Sequence, residues 1–195
     1  VALVTGANSG LGYHTALELA RRGARVVVAS RSAVRGKEAV ARIIAEVPDA
    51  DLDRRGLDLA DLANIRSFAD GIVSSYPSLD LLINNAGVMA IPRQLTADGF
   101  EMQFGTNHLG HFALTGLLLP SLLATKDARI VTVSSTAHKP GRINFDDLMA
   151  EQRYRKWNVY SNTKLANLLF TYELQRKLAA AKASVIAVAA HPGTS

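Results

Sequence analysis

The chain has 195 residues, 48% of them hydrophobic and 20% charged, the profile of one ordinary globular domain with room for a sizeable core. It holds no cysteine, which excludes disulfides, thiolate metal sites and cysteine nucleophiles and suits a reducing cytoplasm. The formal net charge of +5 comes from basic residues scattered mostly singly or in pairs, such as Arg21–Arg22 and Arg54–Arg55, with no run of five or more. Nucleic-acid binding is therefore not expected, and a phosphate-bearing small molecule is the better use for some of the arginines.

No apolar stretch approaches the length of a membrane span. Both ends read as trimmed, since Val1 already lies in an apolar run and HPGTS closes straight after another. An anchor or targeting segment could have gone with them.

In chain order, VALVTG (1–6) is a short β-branched run ending in glycine, a buried strand. A helical pattern through Leu11, Ala16, Leu19 and Ala20 follows and stops at Gly23. Residues 24–30 form the second strand and 33–46 a helix ended by Pro48 and Asp49. The third strand, in 52–59, is less apolar and belongs nearer an edge. A helix over 61–75, a fourth strand with its loop over 79–87, a long helix over 100–123 and a fifth strand over 128–135 come next. Residues 137–156 are a polar excursion with room for one short helix. A helix over 157–181 and a sixth strand in 183–193 complete the chain. This alternation predicts an α/β, doubly wound parallel sheet in the order 3-2-1-4-5-6, a single domain over 1–195.

The last helix has Leu165, Leu168, Leu169 and Tyr172 on one face. It also sets Tyr160 one turn from Lys164, so that the two side chains project together. A free phenol titrates near ~10, and a neighbouring ammonium favours its phenolate, which would make Tyr160 a proton donor and acceptor near neutral pH. A serine hydroxyl brought alongside could hold a carbonyl or alcohol oxygen in line with that phenol.

TGANSGLG (5–12) puts Gly6, Gly10 and Gly12 between the first strand and the first helix, where backbone N–H groups can approach a pyrophosphate. The second strand ends in Ser30 and Arg31 rather than in a carboxylate, so a 2′-phosphate meets a guanidinium and no repulsion, which points to NADP(H) over NAD(H). Arg35 and Lys37 are candidate helpers, or solvated residues of a helix start. Asp58 can accept from an adenine amino group, or cap a helix together with Asp61.

TGANSGLG, NNAG (84–87), Asn107 within GTNHLGHF, VSS (133–135), Tyr-x-x-x-Lys (160–164) and HPG (191–193) together resemble the short-chain dehydrogenase/reductase family over nearly the whole chain. MQFGTNHLGHFALT, the long excursion before the tyrosine and YSNTKLANLLFTYEL are similar to its retinol-dehydrogenase-like branch, with relatives of the WW-domain oxidoreductase and protochlorophyllide reductase.

The resemblance implies a Rossmann domain whose seventh strand is missing here. It implies hydride transfer between nicotinamide and a small-molecule aldehyde, ketone or alcohol. Tyr160 is then the general acid/base, Lys164 lowers the tyrosine pKa and holds the nicotinamide ribose, and Ser135 holds the substrate oxygen, with Ser134 the nearby alternative. Asn107 positions a proton-relaying water. Gly6, Ser9, Gly10, Leu11, Gly12, Arg31, Asp58, Leu59, Asn85, Ala86, Gly87, Tyr160, Lys164, Pro192 and Gly193 are the expected cofactor residues. No metal is suggested, and His108, His111, His138 and His191 take ordinary surface or capping roles. Val88 to Ile91 are a pocket wall or core. The two long helices either pair with a second subunit, giving a homodimer or homotetramer, or only cover the sheet. The competing readings are an epimerase or dehydratase, and a dinucleotide-sensing module; the glycine spacing argues against the first and the Tyr–Lys pair against the second.

Overall fold

The computed structural model describes residues 1–193. Their six strands form one parallel sheet in the order β3-β2-β1-β4-β5-β6, as the strand–helix alternation predicts. β1 (Ala2–Thr5) and β2 (Val26–Ser30) are apolar, β-branched and buried throughout, as central strands covered on both faces must be. β3 (Leu52–Gly56) carries Asp53, Arg54 and Arg55 and takes the edge, where charge discourages further pairing. β4 (Leu81–Asn84) and β5 (Arg129–Val133) continue on the other side of β1, and β6 (Ile186–Ala190) is the far edge.

Alternation along each strand splits the core in two. Val4, Val26 and Val28 point toward α1 (Gly10–Arg21) and α2 (Ala33–Glu46), meeting Ala16, Leu17, Ala39 and Ile43. Leu3, Val27 and Ala29 point the other way, toward Ile65, Phe68 and Ile72 of α3 (Leu62–Ser75). Leu114, Leu118 and Leu122 of α5 (Gly110–Leu123) and Leu178 of α6 (Lys156–Ala180) complete that second layer. On β6 only Ala187 enters the core, and Ile186 and Val188 remain exposed.

Three expectations need correction. The helix expected over 100–123 is not continuous. A short α4 (Met102–Phe104) runs into a π-helical turn, Gly105–Leu109, before α5 begins. Gly110 sits so close to the Leu59 carbonyl that a side chain would collide with it, and its N–H reaches back five residues to Gly105. The widened turn falls on Asn107, and such turns are common at functional sites.

The excursion over 137–156 has two short 3₁₀ turns, Thr136–His138 and Phe145–Asp147, instead of one helix. The apolar stripe of α6 is also not its core face. Leu169 and Tyr172 are exposed, whereas the buried side chains include Ser161, Thr163, Lys164, Asn167 and Thr171. That helix turns its polar side inward because its side chains there have partners waiting.

Candidate active site

All the parallel strands end on one side of the sheet, and the crevice outside those ends is where a ligand belongs in such a fold. At its nucleotide end the chain leaves β1 through Gly6, at φ 65°, and opens α1 at Gly10, at φ 54°; both conformations favour glycine. Ser9 is the cap residue of α1 but its side chain makes no capping bond, so the first N–H groups of the helix have no side-chain acceptor there. Gly12 packs against Gly6 and the Asn85 amide so tightly that a Cβ would collide with both.

A cavity of about 470 Å³ opens here. Gly6, Ser9, Leu11 and Gly12 line it from the glycine turn, Arg31 from the end of β2, Asp58 and Leu59 from the loop after β3, and Asn85, Ala86 and Gly87 from the loop after β4. Thus ten of the expected cofactor residues meet around one space, and Gly10 shapes its rim without lining it. Arg35 also faces the cavity and Lys37 does not. The sequence reading missed Asn8, Ser32 and Thr106 as further lining residues. Ser32 was detectable: it follows Arg31 and caps α2 by accepting from the Arg35 N–H. No acidic residue occupies the first turn of α1 or α2. Asp61 caps α3 by accepting from Ala63 and Asn64, whereas Asp58 spends one oxygen on the Ala60 N–H.

The catalytic end is built by α6 crossing the end of β5. Lys164 is buried, and its Nζ donates to the Val133 carbonyl at 3.1 Å. Burial pushes that ammonium down to about 8. The Nζ lies 5.6 Å from the centre of the Tyr160 ring. Tyr160 is half-buried, and its phenol titrates above the ordinary value because desolvation outweighs the Ser135 hydroxyl beside it. The net shift thus runs opposite to the phenolate-favouring effect expected of Lys164, whose ammonium donates to the Val133 carbonyl.

The two serines divide clearly. Ser134 Oγ is buried and donates to the Lys164 carbonyl at 2.8 Å, tying β5 to α6. Ser135 stays partly open beside Tyr160, its Oγ accepting only from the Ala137 N–H. Asn107 is fully buried, and its side chain is spent: Oδ1 accepts from Val88 N–H at 2.8 Å, while Nδ2 donates to the Val88 carbonyl at 2.9 Å and to Thr163 Oγ1 at 3.1 Å.

Pro192 and Gly193 follow β6, whose Ala190 carbonyl accepts from the Ser134 N–H, so the turn emerges beside the serines and not in the nucleotide cavity. Gly193 has φ 84° and its N–H donates to His191 Nδ1. The histidine expectation also needs correction at His111, which is buried and pairs with Thr5 and Asn107. Its i+4 spacing from Asn107 was the available signal.

The family model described as short chain dehydrogenase matches residues 1–194. Human retinol dehydrogenase 12 is 48% identical over 193 residues, covering 99% of this chain and 60% of that protein. The chain thus spans about three fifths of the length of the curated relatives it matches. A crystal structure of a protein of uncharacterised function from Mycobacterium paratuberculosis is 56% identical with a TM-score of 0.90, covering all of this chain and 68% of that one. Two solved short-chain dehydrogenases lie further off, each with a TM-score of 0.79 over 98% of this chain. The one from Burkholderia phymatum, in complex with NAD, is 25% identical over 64% of its own chain. The one from Shigella flexneri, complexed with NADP, is 26% identical over 76%.

Proposed function

The chain belongs to the short-chain dehydrogenase family, whose members bind a nicotinamide dinucleotide, and on that premise we propose that it is the nucleotide-binding and catalytic part of an NADP(H)-dependent oxidoreductase acting on a carbonyl or alcohol. The observation that carries this reading is the placing of two features along the same edge of the parallel sheet, although Tyr160 and Lys164 do not line the nucleotide cavity. A glycine-turn cavity opens between β1, β2 and β4, and a Tyr160–Lys164–Ser135 set stands beyond the end of β5.

The cofactor supplies the hydride, and the chain's own residues do the rest. The uncapped N-terminus of α1 and the glycine turn receive the pyrophosphate. Arg31, with Arg35 across the same cavity, receives a 2′-phosphate, and no carboxylate lies in the first turn of α2 to repel it. Asp58 keeps one carboxylate oxygen free of the Ala60 bond for the adenine side. Lys164 would hold the ribose, and Pro192 and Gly193 would face the nicotinamide.

Ser135 orients the substrate oxygen and Tyr160 gives it a proton as hydride arrives at carbon. Burial and the Ser135 hydroxyl set the phenol's proton affinity from opposite sides, and the phenol is the group placed to give its proton to the developing oxyanion. Asn107 holds the relay water through its main-chain carbonyl.

A hydrophobic substrate such as retinal fits the relatives, and the retinol dehydrogenases it resembles are named for one. A second copy would cover the apolar hollow of about 470 Å³ between α5 and α6, where Phe112 and Leu169 are exposed. The cysteine-free composition supports a cytoplasmic location for this part of the protein.

The test follows NADPH oxidation by the full-length protein against aldehydes and ketones, retinal included, with NADH beside it and Tyr160→Phe as the control. Turnover with NADPH well above NADH is expected. The variant should lose roughly 10²–10⁴-fold in kcat while binding NADPH normally. Failure of the wild type to bind either dinucleotide would sink the proposal.

A further inference from the structure

One face of the π turn and α5 carries polar side chains at i+4 spacing, Asn107, His111 and Thr115, and each is tied to β1, to β4 or to the loop that follows β4. Asn107 pairs with Val88, His111 with Thr5 at the end of β1, and Thr115 accepts from Asn84 Nδ2 at the end of β4. All three are buried. Thr115 lies far along the helix from the chemistry and Asn107 belongs to the site already described. His111 lies between them and has no assigned task.

Its protonation follows from its partners. Nδ1 lies 3.1 Å from the Asn107 carbonyl, which can only accept, so Nδ1 carries the hydrogen. Nε2 lies 2.9 Å from Thr5 Oγ1, and that oxygen already accepts the N–H groups of Asn85 and Ala86 at 2.9 and 3.0 Å. A hydroxyl accepting two N–H bonds has one hydrogen left to give. Ile83 O competes for it from 3.2 Å, and Nε2 is the shorter partner. A protonated ring would aim an N–H at an oxygen with no lone pair to spare. The groups that act on the ring, Lys164 from α6 and His108 from the π turn, are cationic or neutral, and burial holds it down to about 4. His111 is thus a neutral ring with both nitrogens engaged and nowhere to move.

We propose that His111 is a positioning residue that locks the cofactor loop to the catalytic turn. Through Thr5 it aims one hydroxyl at the Asn85–Ala86 backbone, and through its other nitrogen it fixes the Asn107 carbonyl. The proposal deepens the oxidoreductase reading and rests on it for the roles of those two loops. On that reading the water meets the Asn107 main-chain carbonyl, so the nitrogen that fixes the carbonyl also fixes the direction of its remaining lone pair. A buried hydrogen bond left half-made costs enough to shift an equilibrium by roughly tenfold.

Two substitutions separate the arms. In His111→Asn the amide nitrogen stands where Nδ1 stands, so the Asn107 bond survives and the Thr5 bond is lost. In His111→Gln the amide oxygen reaches the place of Nε2, so Thr5 is kept and Asn107 is released. With the full-length protein, NADPH affinity is measured by fluorescence titration and turnover on any carbonyl the wild type accepts. His111→Asn is expected to raise the NADPH Kd by roughly tenfold and to change kcat less; His111→Gln is expected to do the reverse. Equal loss of both parameters in both variants, or a change in melting temperature alone, overturns the proposal.

A second measurement needs neither activity nor nucleotide. Long-range ¹H–¹⁵N spectra of the wild type, assigned against His111→Gln, should show a neutral Nδ1–H ring that does not titrate between about pH 8 and pH 5. An Nε2–H tautomer, or titration in that range, overturns it. If the wild type binds no NADPH and turns over no carbonyl, the oxidoreductase reading fails, and the spectrum alone decides whether His111 is locked.

Discussion

The helices α1 and α6 flank the two ends of one crevice and are built on opposite rules. α1 buries Tyr13, Ala16, Leu17 and Ala20, an ordinary apolar face, and offers the ligand its backbone. α6 buries Ser161, Thr163, Lys164, Asn167 and Thr171, and under the proposed function offers the reaction its side chains. Phosphate recognition by backbone N–H groups asks mainly for room, and glycine provides it. Proton transfer asks for particular atoms at fixed places, and each buried polar atom then needs its own partner. The nucleotide end should therefore be broken by added bulk, and the catalytic end by a changed charge or a lost hydrogen bond.

The largest contrast lies in pH. Lys164 is buried and its folded-state pKa is about 8 against an ordinary 10.5. Between those values the unfolded chain holds a proton that the folded chain has released, so stability rises with pH across that window and the penalty is fully present below pH 8. The shift corresponds to a change of up to about 3 kcal/mol. Chemical denaturation of the nucleotide-free protein from about pH 7.5 to 10.5, with Lys164→Met beside it, should show the rise in the wild type alone. Parallel curves for the two would mean that the buried ammonium costs the fold nothing.

At the nucleotide end the matching perturbation is Gly12→Ala. The new methyl meets the Gly6 carbonyl and the Asn85 amide, and one of those is backbone that cannot swing aside. Overpacking of this kind costs about 1–3 kcal/mol, and here the strain falls on the loop that receives the pyrophosphate. NADPH affinity should drop roughly tenfold or more by titration, with the Tyr160 and Lys164 geometry undisturbed. Unchanged affinity would show that the turn has slack.

Arg31→Ala tests charge where bulk is not at issue. The side chain is exposed and lines the cavity, so its removal should leave the melting temperature unchanged. The ratio of NADPH to NADH affinity should fall about tenfold, the size of one charge-assisted bond. A ratio that holds would move the 2′-phosphate to Arg35 or dismiss it.

The same contrast explains what could be read from sequence. The glycine turn, the strand order and the edge position of β3 were legible because they depend on local composition: β-branched runs, glycine at a turn, charge at an edge. The inward face of α6 was not. Leu165, Leu168, Leu169 and Tyr172 make an apolar stripe that by periodicity alone should be buried, and two of its members lie in the open because hydrogen-bonded polar side chains hold the other side inward. The π turn at Gly105–Leu109 leaves no trace in hydrophobic spacing, and it moves Asn107 relative to His111. The direction of the Tyr160 shift escaped for a further reason: the approach of Lys164 could be inferred from spacing, whereas burial of the phenol depends on tertiary packing.

Adjacent serines give the finest version of the comparison. Ser134 and Ser135 share a motif, yet the backbone at the end of β5 sends the first hydroxyl into the α6 packing and the second toward Tyr160. Ser134→Ala removes a donor to the Lys164 carbonyl, and should cost only about 1 kcal/mol in a denaturant titration. Turnover should stay within about twofold, because no part of the Ser134 side chain faces the crevice. Ser135→Ala should leave stability nearly intact, since its Oγ accepts one N–H at the start of a short turn, while kcat falls at least about tenfold as the substrate oxygen loses its second contact. If the two variants exchanged these phenotypes, the assignment of the serines would reverse. The register of β5 against β6, which sets which serine faces which way, would then be the first thing to re-determine.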